Sequence, residues 1–493
     1  MSERINGTTP EALMNRYFGF PEGLMYQSFQ RLPTVLREQL VSQNRILQTD
    51  TYNRTMEHIS GPEAQTPATY TLQMRRSPHG YIIAMGMRPM LETFSHPITQ
   101  AELDFAADFY THDAAVPYFN KAMWQNVIDN HGGYMPIQID CVPEGTALLP
   151  GDPVIRVSGP NELVAHFEPL FHRLFYPSMV ATTAHVIGRE FPGRFIEVGK
   201  RGTPTEDDHL IAARAMLGGG GIDRTSNDAA AAAHKDLKDV GTLGHRYVQC
   251  ISIQEGLTER DAFIRAIEST DAVSLLIDLV DSYRGIDMAI ELKEMYRHTG
   301  KKISIRLDSG DVDAQTVYAL REYKIRGFTE PSLDKVMVEG IETIDDMRTI
   351  DALVRNAGFD PEKQVLYGGG RLLVAQGTTR SDASTGFKLT QFGDYPTMKF
   401  SDSPGKRSIP GVPTVYNTSR GRVIGQVGER IGSDIFVPAY RYPGTILLSD
   451  DMQAIRIQAE RSYRDIQGSI RVGATPHSSV TQEIENAIQA HYQ

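Results

Sequence analysis

The sequence predicts an α/β protein whose central part consists of repeated strand–helix units. Between residues 195 and 395, short apolar runs alternate with segments of helical periodicity. Four of these runs close with Asp281, Asp308, Glu339 and Gly368, which follow one another at intervals of 27, 31 and 29 residues. Each interval fits one strand, one helix and two loops. The repeat therefore predicts a parallel sheet, either closed as a barrel or left open.

Five apolar runs are the predicted strands, and the segments after three of them are the predicted helices. The strands are FIEVGKRG, VSLLIDLVDS, KKISIRLDSGD, KVMVEGIE and QVLYGGG. The helices are IDMAIELKEMYRHTG, DVDAQTVYALREYK and ETIDDMRTIDALVRNAG. Nearly continuous apolar strands predict a sheet that is buried on both faces. In a barrel of this kind, polar residues gather at the C-terminal ends of the strands, where barrel enzymes carry their active sites.

The chain on either side of these repeats has a different pattern. Before residue 191, helical stretches such as AELDFAADFY mix with short strands such as VIRVSG. After residue 394, turns rich in Gly, Pro and Ser lead to a final helix, VTQEIENAIQAHYQ. We therefore expect an N-terminal α/β domain at 1–190, a βα domain with the active site at 191–394, and a C-terminal segment at 395–493 that packs back on the N-terminal domain.

The composition narrows the class of protein. With 493 residues, 40% of them hydrophobic and 23% charged, the chain resembles a globular protein of more than one domain. A formal net charge of −11 argues against nucleic acid and membranes as partners, so an anionic ligand must meet a local basic cluster. Two cysteines are too few for a disulfide framework, and the sequence contains neither a signal peptide nor an 18-residue apolar run. We expect a soluble, cytoplasmic protein.

The segment IRLDSGD carries the sharpest local signal. Arg306 and Asp308 are two residues apart, so both lie on the same face at the end of a strand. One interpretation is structural, in which the two side chains pair and Ser309 or Asp311 caps the next helix. The other is functional, in which the carboxylate holds a metal or a sugar hydroxyl beside a cation that binds an anion. The residues alone leave both open.

Two further motifs contain candidate reacting groups. Asp278, in LLIDLVDSYRG, interrupts an apolar run, where a carboxylate is costly unless it is paired, hydrogen-bonded or bound to a cation. Asp281 in the same motif is either a similar ligand or a solvated residue at the strand end. His245, in GTLGHRYVQ, is either a polar residue at the start of a strand or a reacting group. Its position after a predicted phosphate-binding segment favours the second interpretation.

Glycine-rich segments and isolated cations provide candidate phosphate sites. In GGGGIDRTSND, four glycines precede Thr225, Ser226 and an alanine-rich helix, and free amides at a helix N-terminus bind phosphate. QVLYGGG repeats the arrangement at a strand end. The candidate cations are Lys200, Arg201, Lys406 and Arg407. The alternative interpretation is that they are solvated bases on the surface. Arg201 is the strongest candidate because, at intervals of two residues, it falls on the same face of the predicted strand as Glu197 and Gly199.

Ten motifs in this order resemble the nicotinate and nicotinamide phosphoribosyltransferase family. They are LQTDTYNRTM, VPEG, VIRVSGP, EVGKRG, RTSND, GTLGH, LLIDLVDSY, IRLDSGD, GGG and the Lys-Arg loop, between residues 46 and 411. The resemblance implies an α/β domain formed from both ends of the chain and an irregular, TIM-like βα barrel, with active sites at a homodimer interface. It also implies transfer of a phosphoribosyl group from phosphoribosyl pyrophosphate to a pyridine nitrogen with Mg²⁺ present. In the nicotinate branch, that reaction is coupled to ATP through a phosphohistidine.

The resemblance assigns substrate-binding roles by matched motif. Tyr52 resembles the tyrosine that stacks on the pyridine ring, from the neighbouring subunit. Arg201 resembles the arginine beside the ring carboxylate. Arg306 and Asp308 resemble the pair at the ring and the ribose, and Glu339 lies where relatives bind ribose hydroxyls.

Further roles concern the phosphates and the metal. Asp278 and Asp281 resemble the residues on the magnesium and pyrophosphate side, and His245 resembles the phosphorylated histidine. The residues that resemble the 5′-phosphate seat are Gly369, Gly370 and Arg380. Those that resemble a polyphosphate-binding loop are Lys406 and Arg407. Arg246, next to the histidine, departs from the family pattern and has no implied role.

Substrate choice depends on one position. The nicotinamide branch has an aspartate near the carboxamide where this sequence, in RTSND, has Ser226, and an aspartate there would repel a carboxylate. We therefore expect synthesis of nicotinate mononucleotide in NAD salvage. The alternatives are a nicotinamide phosphoribosyltransferase, a quinolinate phosphoribosyltransferase and a non-catalytic protein that binds phosphosugars.

Overall fold

The structure is a computed structural model that describes residues 19–328, 335–401, 406–471 and 473–492. The chain forms two compact units, the first comprising residues 1–179 with 379–493 and the second residues 180–378. The domain boundaries expected at residues 190 and 394 lie further along the chain than the observed ones, which follow residues 179 and 378. The first falls at the end of a helix that spans 175–190, and the second lies beyond a strand at 385–392 that pairs with strand 67–74. Residues 1–18, the start of the expected N-terminal domain, lie outside the described part of the chain.

Strands and helices are numbered separately along the chain. The strands are β1 Pro67–Met74, β2 Ile82–Ile83, β3 Gln138–Cys141, β4 Ala147–Leu148, β5 Pro153–Pro160, β6 Phe195–Glu197, β7 Arg224–Thr225, β8 Lys238–Asp239, β9 Ala272–Leu276, β10 Lys302–Leu307, β11 Val336–Val338, β12 Val365–Gly369, β13 Thr385–Phe392, β14 Tyr395–Pro396, β15 Pro413–Thr418, β16 Gly421–Gln426, β17 Ser433–Asp434, β18 Val437–Arg441 and β19 Thr445–Ile446. The helices are α1 Tyr26–Phe29, α2 Thr34–Gln43, α3 Thr51–Ser60, α4 Met87–Glu92, α5 Gln100–His112, α6 Lys121–His131, α7 Asn161–His166, α8 Glu168–His172, α9 Phe175–Glu190, α10 Glu206–Gly220, α11 Asp228–Ala233, α12 His245–Glu255, α13 Glu259–Glu268, α14 Ser282–Met295, α15 Val312–Ile325, α16 Ile344–Asn356, α17 Pro361–Gln364, α18 Arg371–Val374, α19 Arg380–Ala383, α20 Met452–Ile466 and α21 Ser479–Tyr492. None of the described helices has the length and hydropathy of a membrane-spanning segment.

The first unit is organised around an antiparallel sheet made from both ends of the chain. Its strand order is β14-β13-β1-β5-β3-β18-β19, and all neighbouring pairs are antiparallel. Leu72 and Val157 of the sheet pack in one core with Trp124 of α6 and with Phe167, which lies between α7 and α8. Because β13 and β18 complete a sheet begun by β1 and β3, the expected α/β domain formed from both chain ends is confirmed.

The second unit is a curled sheet of seven parallel strands in the order β8-β7-β6-β12-β11-β10-β9. The five predicted strands are present as β6, β9, β10, β11 and β12, and the three predicted helices are α14, α15 and α16. β8 and β9 are the two edges of this sheet, so the barrel is open and irregular. The predicted fold class is confirmed.

The glycine run Gly218–Gly221 is not a phosphate-binding loop. It forms the last turn of α10 and the residue that caps it. A Cβ atom on Gly220 would overlap the backbone of Ala184 in α9, and one on Gly219 would lie 2.6 Å from the carbonyl oxygen of Ala181. The glycines therefore allow two helices to approach backbone to backbone. The prediction of free, ligand-binding amides in this run is wrong.

Candidate active site

The second unit contains a cavity of about 750 Å³ lined by the parallel strands and the loops that follow them. Four residues predicted to bind substrate contribute to its wall: Arg201, Ser226, Arg306 and Glu339. They come from loops or strand ends that are far apart in the sequence. A cavity of this volume accommodates a small-molecule ligand.

One face of β10 forms part of this wall. Lys302, Ser304 and Arg306 alternate along the strand and line the cavity, whereas Ile305 and Leu307 are buried. The expectation that both faces of the sheet are buried is therefore wrong for β10, because its polar residues alternate with the apolar ones.

The guanidinium group of Arg306 joins two carboxylates at the ends of adjacent strands. Its Nη2 atom donates to Glu339 Oε2 at 2.7 Å and to Asp308 Oδ2 at 3.3 Å, and its Nη1 atom donates to the hydroxyl of Thr242. Burial raises the pKa of Glu339. The charge of Asp308 adds to this increase, and the charge of Arg306 opposes it. Two carboxylates and one guanidinium leave a negative formal charge when both acids are ionised. This group is suited to stabilise a ligand atom that becomes positive.

His245 is the first residue of α12, so its assignment to the start of a strand is wrong. Its Nε2 atom lies 2.9 Å from Asp278 Oδ1. The hydroxyl of Ser309 donates to the other oxygen of Asp278 at 2.5 Å. The Asp278 side chain is only 6% exposed, and these two hydrogen bonds offset the cost of burying it.

His245, Asp278 and Asp308 form a cluster whose possible metal-ligand atoms all lie within 4.8 Å of one another. Carboxylate oxygens are the ligands that Mg²⁺ prefers, so the two aspartates fit that ion. Asp281 lies outside this cluster. It is the exposed N-cap of α14, where its Oδ1 atom accepts from the amide of Arg284 at 2.9 Å.

The loop after β6 presents two cations to the cavity. Lys200 and Arg201 lie in a short 3₁₀ turn at Lys200–Gly202, and both line the cavity. Lys200 Nζ is 2.9 Å from Glu206 Oε2 and 3.1 Å from Asn227 Oδ1. Arg201 is exposed and has no such partner among the residues that the structure describes. Arg201 is therefore one cation of the wall that is available to an anionic ligand.

Ser226 lies directly after β7, the strand that pairs with β6. Its amide donates to the carbonyl oxygen of Glu197 at 2.9 Å, and its side chain is exposed and lines the cavity. Asp228 and Asp239 also line the cavity. This part of the wall therefore offers a hydroxyl group and two carboxylates.

The loop after β12 contains Gly369 and Gly370 at the end of the strand and the start of α18. A Cβ atom on Gly370 would lie 2.7 Å from Gly199 Cα, and the carbonyl oxygen of Gly369 accepts from the amide of Val198 at 3.1 Å. The loops after β6 and β12 therefore touch through their backbones. The phosphate-binding role of Gly369 and Gly370 remains a prediction.

Four predicted ligand residues belong to the first unit. Tyr52 lies on α3, where its hydroxyl donates to the carboxylate of Glu168. Arg380 is the first residue of α19. Lys406 and Arg407 are exposed, and the four residues before them lie outside the described part of the chain. The ligand roles of these residues also remain predictions.

Sequence reasoning missed two polar partners of the site. Ser309 was considered only as a possible helix cap, but Asp311 caps α15 by accepting from the amide of Ala314 at 3.0 Å. Thr242, which Arg306 contacts, lies in the GTLGHRYVQ motif, where only His245 was considered. The sole signal for Ser309 was its position directly after Asp308.

This chain is similar to one family model, to two known proteins among others, and to the crystal structure of one of them. A model of the N-terminal domain of nicotinamide phosphoribosyltransferase matches residues 44–139. Human nicotinate phosphoribosyltransferase is 27% identical in an alignment of 447 positions that covers 78% of each chain. A nicotinate phosphoribosyltransferase of Mycobacterium tuberculosis is 26% identical over 413 positions, covering 79% of this chain and 80% of the relative. The crystal structure of human nicotinic acid phosphoribosyltransferase matches with a TM-score of 0.62 at 20% identity, covering 89% of this chain and 99% of that one.

The open parallel barrel and the antiparallel sheet from both chain ends define the type II phosphoribosyltransferase fold. Within this fold, the chain is similar in sequence to nicotinate phosphoribosyltransferases and, over residues 44–139, to the N-terminal domain of nicotinamide phosphoribosyltransferase.

Proposed function

We propose that the protein transfers a phosphoribosyl group from phosphoribosyl pyrophosphate to nicotinate, giving nicotinate mononucleotide and pyrophosphate in NAD salvage. The observation that carries this proposal is the cavity wall, which combines Arg201 and Ser226 with the Arg306–Glu339 pair. The relatives named nicotinate phosphoribosyltransferase support it.

The transfer makes one bond and breaks one bond at the anomeric carbon. The pyridine nitrogen attacks C1 of the ribose with its own lone pair, and the bond from C1 to the pyrophosphate oxygen breaks. Positive charge develops on the ribose, and negative charge on the leaving group. The carboxylates of Asp308 and Glu339 stabilise the ribose, while Arg201 pairs with the ring carboxylate. No general base is required, because the nitrogen carries no proton to remove.

We extend the proposal to ATP coupling through His245. The carboxylate of Asp278 holds the proton on Nε2, so Nδ1 carries the nucleophilic lone pair. In this step a bond forms between Nδ1 and the γ-phosphorus of ATP, and the bond to the leaving ADP oxygen breaks. The proton on Nε2 remains hydrogen-bonded to Asp278, which stabilises the charge on the imidazole ring.

Mg²⁺ completes the proposed site. Asp278 and Asp308 would hold the ion. The family resemblance assigns Asp281 to the pyrophosphate side of the site. When bound, the ion neutralises charge on the leaving phosphates. The proposed phosphate-binding residues are Gly369, Gly370, Arg380, Lys406 and Arg407.

We also propose a homodimer in which Tyr52 stacks on the pyridine ring bound by the neighbouring subunit. Tyr52 is 48% exposed, so part of its surface is available for such a contact.

Nicotinamide is the second candidate substrate. It is favoured by the matching nicotinamide phosphoribosyltransferase domain and by Asp228 and Asp239 in the cavity wall, which repel a carboxylate.

The test is a side-by-side assay of mononucleotide and pyrophosphate formation from nicotinate and from nicotinamide, with Mg²⁺ and with or without ATP. We expect product from nicotinate and stimulation by ATP. Equal or faster turnover of nicotinamide would assign the sister activity. Thermal stabilisation by phosphoribosyl pyrophosphate without any product would identify a binding protein instead.

A further inference from the structure

A buried polar network lies behind the pyridine end of the cavity. Glu197 ends β6, His209 lies in α10, and Asn227 caps α11, and all three side chains are fully buried. Several residues that line the cavity are their neighbours in the chain, among them Val198 and Ser226. The network is therefore directly connected to this part of the wall.

The Glu197 carboxylate connects three separate elements. One oxygen accepts from His209 Nε2 at 3.1 Å and from the amide of Gly199, and the other accepts from the hydroxyl of Thr225 at 2.6 Å. These bonds join β6 to α10, to its own loop and to β7. A buried carboxylate contributes little net stability even when it is fully paired, because desolvation opposes its hydrogen bonds. Its presence here is better explained by the geometry it imposes.

His209 and Asn227 carry the network onward to the loop cations. Because the carboxylate only accepts, His209 carries its proton on Nε2, and its Nδ1 atom accepts from Asn227 Nδ2 at 2.9 Å. The same amide nitrogen donates to Glu206 Oε1 at 2.8 Å. Its oxygen accepts from Lys200 Nζ at 3.1 Å and from the amide of Ala229 at 3.0 Å. Each polar atom of the Asn227 side chain is thus satisfied.

We propose that Glu197, His209 and Asn227 are positioning residues that fix Arg201 and Ser226 relative to each other. The amide of Gly199, two residues before Arg201, is bound to the Glu197 carboxylate, and the amide of Ser226 is bound to the Glu197 carbonyl oxygen at 2.9 Å. The network thereby sets the affinity for the pyridine carboxylate without touching it. This inference rests on the proposed function.

The test uses three variants of the full chain that separate geometry from charge. Asn227→Ser retains a good helix cap but cannot bridge His209 and Lys200. Glu197→Ala removes the centre of the network. Glu197→Gln retains it, because the amide oxygen accepts where Gly199 and His209 donate, and the amide nitrogen donates to the Thr225 hydroxyl.

We expect the KM for nicotinate to rise about tenfold or more in Asn227→Ser and Glu197→Ala, since small displacements of binding groups have large effects. The KM for phosphoribosyl pyrophosphate should stay within about twofold, and Glu197→Gln should resemble the wild type within about threefold. If Glu197→Ala fails to fold, Asn227→Ser alone provides the test.

Asp351→Asn is the matched control. Asp351 pairs with Arg194 at 2.6 Å, both are buried in the same unit, and neither lines the cavity. This variant should lower the Tm and leave the KM for nicotinate unchanged. The positioning role is overturned if the network variants also lower only the Tm. If the wild type forms no mononucleotide, the proposed function fails, and the binding of nicotinate is then measured by calorimetry. Weaker binding in Asn227→Ser than in the wild type supports the positioning role. Equal or undetectable binding in both proteins rejects it.

Discussion

The imidazole of His245 and the carboxylate of Asp278 are joined by a hydrogen bond of 2.9 Å between Nε2 and Oδ1. A carboxylate only accepts, so this contact selects the tautomer with its proton on Nε2. Ser309 donates to the second carboxylate oxygen at 2.5 Å and fixes its orientation. A partly exposed histidine at the start of a helix thereby keeps its Nδ1 atom unprotonated, as the proposed phosphorylation requires.

Changing Asp278 to Asn should lower the ATP-stimulated rate more than the basal rate, because Asp278 orients His245 in addition to holding the proposed Mg²⁺. The Asn amide can donate to Nε2, which moves the imidazole proton to Nδ1 and removes the nucleophilic lone pair. We expect the ATP-stimulated rate to fall by about 10²-fold or more, and His245→Ala to lose the stimulation altogether. The measurement is nicotinate mononucleotide formation with and without ATP, together with acid-labile phosphate on the protein. Gln249→Ala, exposed on the same helix, serves as the control. Full ATP stimulation of His245→Ala would rule out the phosphohistidine.

Ser226→Asp should shift the substrate preference toward nicotinamide. A carboxylate at this place in the cavity wall repels the nicotinate carboxylate and can accept from a carboxamide. We expect the ratio of kcat/KM for nicotinate over nicotinamide to fall by about 10²-fold, a change of about 3 kcal/mol. The uncharged Ser226→Asn variant separates charge from size. An unchanged ratio in Ser226→Asp would show that this position does not select the substrate.

The Tyr52–Glu168 contact should make stability depend on pH in the acid range. Burial opposes ionisation of Glu168, but hydrogen bonds from His172 and Tyr52 and the charge of Lys388 lower its pKa to about 2. Because the folded pKa lies below the ordinary value of 4.5, the contribution to stability is complete above about pH 4.5 and declines as the pH falls toward 2.

Denaturant unfolding of the wild type and of Glu168→Gln between pH 3 and 7 measures this contribution. The difference in free energy of unfolding between the two proteins should be constant above about pH 5 and should shrink below it. A difference that stays constant down to pH 3 would show that Glu168 is not stabilised in its ionised form.

Gly220→Ala should destabilise the fold far more than an ordinary glycine substitution. The added Cβ atom overlaps the backbone of Ala184, and backbone cannot rotate away as a side chain can. We expect a loss of about 1–3 kcal/mol in the free energy of unfolding. Gly468→Ala is the control, because no atom lies within 4 Å of its added Cβ. Equal stability of both variants would refute the close helix contact.

The strand-end residues were predictable because their signals are local. The apolar runs, their spacing and the positions of Asp278, Arg306 and Asp308 depend on a few adjacent residues, and the pairing of Arg306 with Asp308 follows from alternation. The addition of Glu339 to that pair required the parallel order of β10 and β11. A neighbouring strand is not specified by any short stretch of sequence.

Two errors have physical causes. The apolar run after His245 is short, and a short run fits a helix face as well as a buried strand. The run Gly218–Gly221 has the composition of a ligand loop, but glycine serves close packing equally well. The network of Glu197 and His209 was missed because nothing near His209 in the sequence indicates that its partner ends a strand.

The backbone contact between Gly199 and Gly370 restricts how this enzyme can be re-engineered. The loop that presents Arg201 and the loop expected to seat the 5′-phosphate touch at these two glycines, so neither glycine can take a larger residue unless the other loop shifts. A library that aims at bulkier pyridines must therefore vary both loops together. Single-site libraries at Gly199 or at Gly370 should return mostly misfolded or inactive clones.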